Sequence, residues 1–436
     1  MEKPEKLLIV TFLDYGYYSN NRIHHIVGQF TNRFKNVTIL YKKAYIPGKY
    51  SLKKQLEAFF AFKIKSFSYE NKLSVEVDPL FNHVEGLGLS ILGVENPYVK
   101  MKSGIFNFMK KALSNMGILS DLAIVPSFIF AYMLKVRSKV DVFIGQGPWE
   151  VAIGYLLKKF GRIRILVYDD FDYAPGYQHA KGRRAFVVAL ENFLIRKADV
   201  AISVGQLLAR LREKETGRRM EIIPNGVNVD LFKQAQDKKP HPPTLIYMGY
   251  VWQWSGVDLI MQALSKVKDD IPEIRFNVLG HTTPDYLAHL KSMADKLNLG
   301  TSFSYLGNKP HEQLIDFLKQ ADIGMAVFMP IELRKYAFSL KVIEYMAAGL
   351  PVIATAQTQS GYLVESLHAG ISVRYDIDEL TGALRSLLRD RDFYKKCTEN
   401  AFNASQGYDW KILMDKYYSL IKKVYYESCS KNQKQY

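Results

Sequence analysis

The chain has 436 residues, 48% of them hydrophobic and 23% charged, with 28 glycines, 16 prolines and two cysteines. Its net charge of +16 is unevenly placed: residues 1–230 carry 34 Lys and Arg against 21 Asp and Glu, and residues 231–436 carry 25 against 22. These values exclude a disordered chain, a collagen-like repeat and a disulfide scaffold, and leave room for two or three domains of ordinary size.

Leu7–Leu13 is apolar and ends at Asp14 without a small-residue cleavage site, so it reads as a first strand and not as a signal peptide. A turn-rich loop follows and enters a helix over Ile23–Phe34. Arg22 and His25 sit at that entry as candidates for contacting an acceptor phosphate or supporting a catalytic base, or else for plain surface or core roles. Val37–Leu40 is the next strand. Residues 31–140 then hold 17 basic against 7 acidic residues. The longest apolar run, Leu122–Leu134, contains Pro126 and falls short of the ~20 residues that a spanning helix needs. Ile105, Phe106 and Phe108 precede it, and Lys110, Lys111, Lys135, Arg137 and Lys139 flank it. Basic residues beside aromatic ones suit an anionic membrane surface, with a solvated basic face as the bland alternative. The expectation is a cytoplasmic protein, peripheral on the cytoplasmic face of the membrane. No nucleic-acid-binding motif is present.

Strands are predicted next at Asp141–Ile144, Arg164–Tyr168 and Val200–Val204, with a helix over Arg184–Arg196. The first of these runs into Gly145-Gln146-Gly147-Pro148-Trp149-Glu150. There Gly147 permits close backbone approach, and Trp149 offers a face for stacking on a sugar. The second runs into Asp169, Asp170 and Asp172. Residues 233–243 are polar and Pro-rich, the best linker in the chain. Alternation then restarts at Thr244–Met248, Arg275–Leu279, Asp322–Val327 and Pro351–Ala354, and apolar residues at helical spacing from Trp410 to Tyr426 read as a closing helix. Two runs of strand–helix alternation predict an α/β protein of two Rossmann-like domains with parallel sheets, facing a cleft, with domains at 1–232 and 244–405 and a tail from 406.

Ligands of open α/β sheets bind beyond the carboxyl ends of the strands, so the informative residues follow strands. The strongest stretch is Ser339–Ile353. A helix from Ser339 to Ala348 would end at Gly349 before a strand. Ser339 would cap its start, where free N–H groups favour phosphate, and Lys341 would add a point charge in the first turn. Glu344 lies one turn on, placed to accept hydrogen bonds from sugar hydroxyls. An amphipathic helix with a surface lysine and glutamate is the alternative.

KVIEYMAAGLPVIAT (341–355) resembles the donor-binding signature of the GT-B glycosyltransferases, above all the large family-4 group. IIPNGVNVDLF (222–232) and YDWKILMDKYYSLI (408–421) are similar to that group's hinge-side and closing-helix segments. The resemblance implies a nucleoside diphosphate sugar as co-substrate, no metal or other cofactor, and a donor held by the C-terminal domain. It also implies a saccharide acceptor, lipid-linked, held by the N-terminal one. Ser339, Leu340, Lys341, Glu344, Gly249 and Tyr336 become donor-binding positions; Arg22, Trp149 and Gly147 become acceptor-binding ones.

The departures are informative too. Tyr336 stands eight positions before Glu344, where the family usually has a glutamate. Tyr250 and Ser255 stand where an Arg and a Lys usually grip the diphosphate. The acidic loop is similar to that of xanthan-type glucuronosyltransferases, whose catalytic aspartate matches Asp172 and whose pattern also contains a histidine at His25. Asp172, with Asp170 and His25, is therefore the expected catalytic set. Two other readings of the loop stay open: a metal-binding D-x-D at Asp170 and Asp172, and acids that cap a helix or pair with Arg183 and Arg184. A catalytically silent scaffold of the same fold is the alternative function.

Overall fold

The computed structural model describes residues 3–11, 22–42, 62–68, 75–77, 139–178, 180–238 and 240–433. Lys110, Lys111, Lys135, Arg137 and the aromatic residues before them lie outside the described residues, so the membrane-facing segment expected there has no structural account. Among the described residues no helix is long and apolar enough to cross a membrane.

The chain divides into two compact units. One comprises Met1–Val204, Ala209–Ile223 and Met414–Tyr436, and the other Gly205–Leu208 and Pro224–Leu413. The second unit thus begins ahead of the polar stretch 233–243, whose first residues form a short 3-10 turn, Lys233–Gln236.

The first unit is built on an eight-stranded sheet. Its strands are β1 (Lys6–Thr11), β2 (Asn36–Lys42), β3 (Phe62–Ser68), β4 (Val75–Val77), β5 (Val140–Gly145), β6 (Ile163–Asp170), β7 (Val200–Ser203) and β8 (Glu221–Ile222), in the order β4-β3-β2-β1-β5-β6-β7-β8. Six strands run parallel in the predicted way. β3 and β4 do not: β2 pairs with β3 and β3 with β4 antiparallel. The expectation of a wholly parallel sheet is corrected here, because this edge is built as a meander and not by helical crossovers. Leu8, Val10, Phe143, Leu166 and Tyr168 are fully buried beneath the helices Pro148–Lys159 and Lys181–Lys197. Each such aliphatic side chain contributes ~1.5–3 kcal/mol by leaving water.

The last helix, Trp410–Gln433, enters the first unit at Met414. Tyr417 meets Phe30 edge-on at 5.6 Å, and Arg33 donates to the Met414 carbonyl at 3.0 Å.

The second unit carries β9 (Thr244–Met248), β10 (Arg275–Leu279), β11 (Phe303–Gly307), β12 (Ile323–Ala326), β13 (Val352–Thr355) and β14 (Gly370–Val373). All pairings are parallel and the order is β11-β10-β9-β12-β13-β14. Numbered from the unit's own start, that is the doubly wound order 3-2-1-4-5-6, and its direction reverses between β9 and β12. The helix predicted at 339–348 is Leu340–Ala347, and Gly349 leaves it at φ +70°.

Candidate functional site

In the second unit the residues expected to bind an anion gather where the strand order reverses. Met248 ends β9, and Gly249 follows at φ +126°. A Cβ at Gly249 would lie 2.9 Å from Lys341 Nζ, and one at Gly280, after β10, would lie 1.7 Å from the Gly249 carbonyl oxygen. The backbone is therefore bare at this point because side chains do not fit.

Lys341 reaches that bare surface from the helix Leu340–Ala347. Its Nζ lies 3.8 Å from the centre of the Tyr247 ring and 4.8 Å from that of Phe328. Two aromatic faces hold the ammonium by their quadrupoles. No ion pair or hydrogen bond to Lys341 is present among the described residues. Burial pushes its pKa well below the usual lysine range, Arg334 pushes the same way, and Glu344 opposes them. Glu344 sits one turn on and is bonded to His311 Nε2 at 3.0 Å. That hydrogen bond raises the His311 pKa, against the effect of burial.

Ser339 is the residue before the helix, as expected, but its side chain makes no capping bond. Its carbonyl accepts the Val342 N–H at 3.3 Å. Leu340 opens the helix, half-buried. Tyr336 ends the short helix Glu332–Tyr336 and is half-buried, with Lys335 over its ring at 5.5 Å. Tyr250, in place of the family's arginine, stacks on Trp254 at 6.1 Å. Ser255, in place of its lysine, is fully buried in a turn that Trp252 and Ser255 close.

In the first unit the acidic loop divides. Asp169 is fully buried and takes both Nε and Nη2 of Arg22, at 2.9 and 2.7 Å, with Gln146 Nε2 at 3.2 Å. Arg22 itself is 5% exposed; burial opposes its charge, but Asp169 outweighs burial and raises the pKa. Asp170 is 2% exposed and pairs with Arg212 Nε at 2.8 Å. Both were expected at a ligand, Arg22 on the acceptor and Asp170 in catalysis or on a metal. The structure places each in a buried ion pair, because a carboxylate inside the fold must find a cation. Asp172 differs. It is half-buried, accepts the Tyr173 N–H at 2.9 Å and takes the Tyr177 hydroxyl.

His25 is half-buried on the helix Arg22–Phe30. Trp149 stacks on Phe186 at 6.0 Å and packs on the core while staying half-buried. Gly147 sits in extended backbone before the helix Pro148–Lys159, where a Cβ would lie 2.7 Å from Glu150 Oε2. His311, Arg334, Tyr247 and Trp254 escaped the sequence reading. No spacing ties them to Lys341 and Glu344; only the order of the strands does.

Two doubly wound units with the sugar-nucleotide signature at the second one's switch point define a GT-B glycosyltransferase fold. Residues 228–404, in the C-terminal unit, match the family model described as Glycosyl transferases group 1. A phosphatidyl-myo-inositol mannosyltransferase of Mycobacterium tuberculosis is 26% identical over 233 residues, 51% of this chain and 58% of that one. The sulfoquinovosyl transferase SQD2 of Arabidopsis thaliana is 25% identical over 187 residues, 41% of this chain and 33% of that one. The chain spans little more than half the length of the first of these curated relatives. In fold, a solved glycosyltransferase from Rickettsia africae superposes with a TM-score of 0.62 at 15% identity, over 97% of this chain and 98% of the other. Anabaena Alr3699/HepE, solved with UDP and glucose, gives 0.61 at 15% identity, over 96% and 99%.

Proposed function

We propose that this protein transfers a sugar from a nucleoside diphosphate donor to a hydroxyl of a saccharide acceptor, lipid-linked, in glycan or polysaccharide assembly at the cytoplasmic face of a membrane. One observation carries the reading. Lys341 is a half-buried amine with no ion pair among the described residues, set on aromatic faces at a switch point beside bare backbone. A site of that kind is complete only with an anion in it, and the leaving diphosphate of a nucleotide sugar is such an anion. The group 1 match and the UDP bound by a structural neighbour support the choice of ligand. Glu344, oriented by His311, takes the sugar hydroxyls of the donor. Asp172, half-buried in the loop after β6, acts as general base on the acceptor hydroxyl.

Calorimetry with UDP, GDP and ADP tests the donor half. At least one binds, and Lys341→Met abolishes binding. If none binds, the reading fails. Asp172→Asn tests the other half: nucleotide affinity stays as it was while turnover falls ~10²–10⁴-fold. A protein that binds nucleotide sugars yet transfers nothing to any acceptor is the silent scaffold, the reading that Tyr336 favours.

The membrane partner rests on the basic composition of 31–140. Liposome binding should need acidic lipid and fade as the Debye length drops from ~10 Å at 0.1 M salt to ~3 Å at 1 M. Equal binding to neutral and acidic vesicles overturns it.

A further inference from the structure

The family's usual arginine and lysine are missing after β9, yet the site carries a second cation from elsewhere. Arg334 projects from the short helix that follows β12, and its guanidinium carbon lies 3.6 Å from the centre of the Trp254 ring. Trp254 meets Tyr250 on one side and Phe328 on the other, at 6.1 and 6.4 Å. Phe328 in turn lies under Lys341. One aromatic strip therefore bears Arg334 at one end and Lys341 at the other. The two charges feel each other: Arg334 depresses the Lys341 pKa. A diphosphate presents two charged groups, one for each end of such a strip.

We propose that Arg334 is the second cation of the donor-diphosphate grip, doing from the segment after β12 what related enzymes do from the loop after their first C-domain strand. The inference rests on the donor reading above and assigns it a residue that sequence similarity does not reach. The planar guanidinium, fixed by stacking, suits bidentate contact with phosphate oxygens better than a flexible lysine. A consequence follows for protons. Facing Lys341 are Tyr247, Arg334 and Glu344, with His311 behind Glu344 and His281 beside Tyr250. When the diphosphate arrives, its charge favours the ammonium form, so binding takes up protons.

The test compares wild type, Arg334→Gln, Arg334→Lys and Trp254→Leu. The probes are inorganic pyrophosphate, the nucleoside diphosphate that wild type binds, and the matching nucleoside, each titrated in two buffers of different ionisation enthalpy. Arg334→Gln should weaken diphosphate and pyrophosphate binding roughly 10- to 100-fold, as expected for a charge-assisted bond, and nucleoside binding less than about twofold. Arg334→Lys should fall between. Trp254→Leu should follow Arg334→Gln in direction, which keeps the test open if one variant folds poorly. Proton uptake should shrink in Arg334→Gln, because one of the two influences that depress the Lys341 pKa is removed while burial stays. Equal losses for nucleoside and diphosphate, or no loss at all, overturn the assignment while leaving the donor reading intact. If wild type binds no diphosphate, both fall together.

Discussion

The two units treat buried charge in opposite ways. In the first, Arg212 is fully buried and spans Asp170 at 2.8 Å and Glu191 at 2.9 Å, while Arg22 grips Asp169. Every one of these cations faces carboxylates within the same unit. In the second, Lys341 rests on tyrosine and phenylalanine rings, with no ion pair to it among the described residues. A charge matched inside the fold belongs to the architecture. A charge left on an aromatic face is held ready for something that comes from solution. The same residue types, Arg and Lys near strand ends, therefore mean different things, and only their partners tell them apart.

Removing one cation from each unit is the strongest way to break this contrast. Arg212→Met leaves Asp170 and Glu191 buried without a counter-charge, and should cost about 3–5 kcal/mol of stability in urea unfolding. Lys341→Met, which replaces a desolvated amine by an apolar side chain, should leave stability unchanged or slightly raised in the same assay. If the two variants lose equal stability, Lys341 is structural after all.

A smaller effect is read in pH. Arg212 serves more carboxylates than it can neutralise, and burial lifts Glu191 from 4.5 to about 8. The folded state then holds a proton that the unfolded chain has released, so stability should fall as pH rises from about 4.5 to about 8 and level off above. Glu191→Gln should flatten that slope in thermal unfolding across pH. A slope unchanged by the substitution would assign it to another group.

The sequence reveals the frame of the second unit well. Thr244–Met248 and Arg275–Leu279 are strands to the residue, because short apolar, β-branched runs between helical stretches admit little else. Edge strands are less legible. β11 is half-buried along its whole length and β14 over most of it, so neither presents a continuous apolar run. Single residues are harder still. Lys341 and Glu344 stand out because a signature surrounds them. Arg334 and His311 do not, since the chain returns them to the site from segments whose spacing says nothing about contact. The acids of the first unit mislead for a related reason: a row of three aspartates after a strand looks like chemistry until buried arginines claim two of them.

The bare backbone at Gly249 and Gly280 bears on how this protein can change. Each position resists a larger residue, Gly249 by its φ of +126° and Gly280 by the Gly249 carbonyl that a Cβ would meet at 1.7 Å. Neither can drift by single substitution, so the floor of the site is inherited intact or lost. Variation is left to the rim: Tyr250 is 44% exposed, Met329 36% and Ile331 38%. A library aimed at new donor preference belongs at those three positions. There a changed side chain alters what is touched without disturbing the ledge on which the ligand lies.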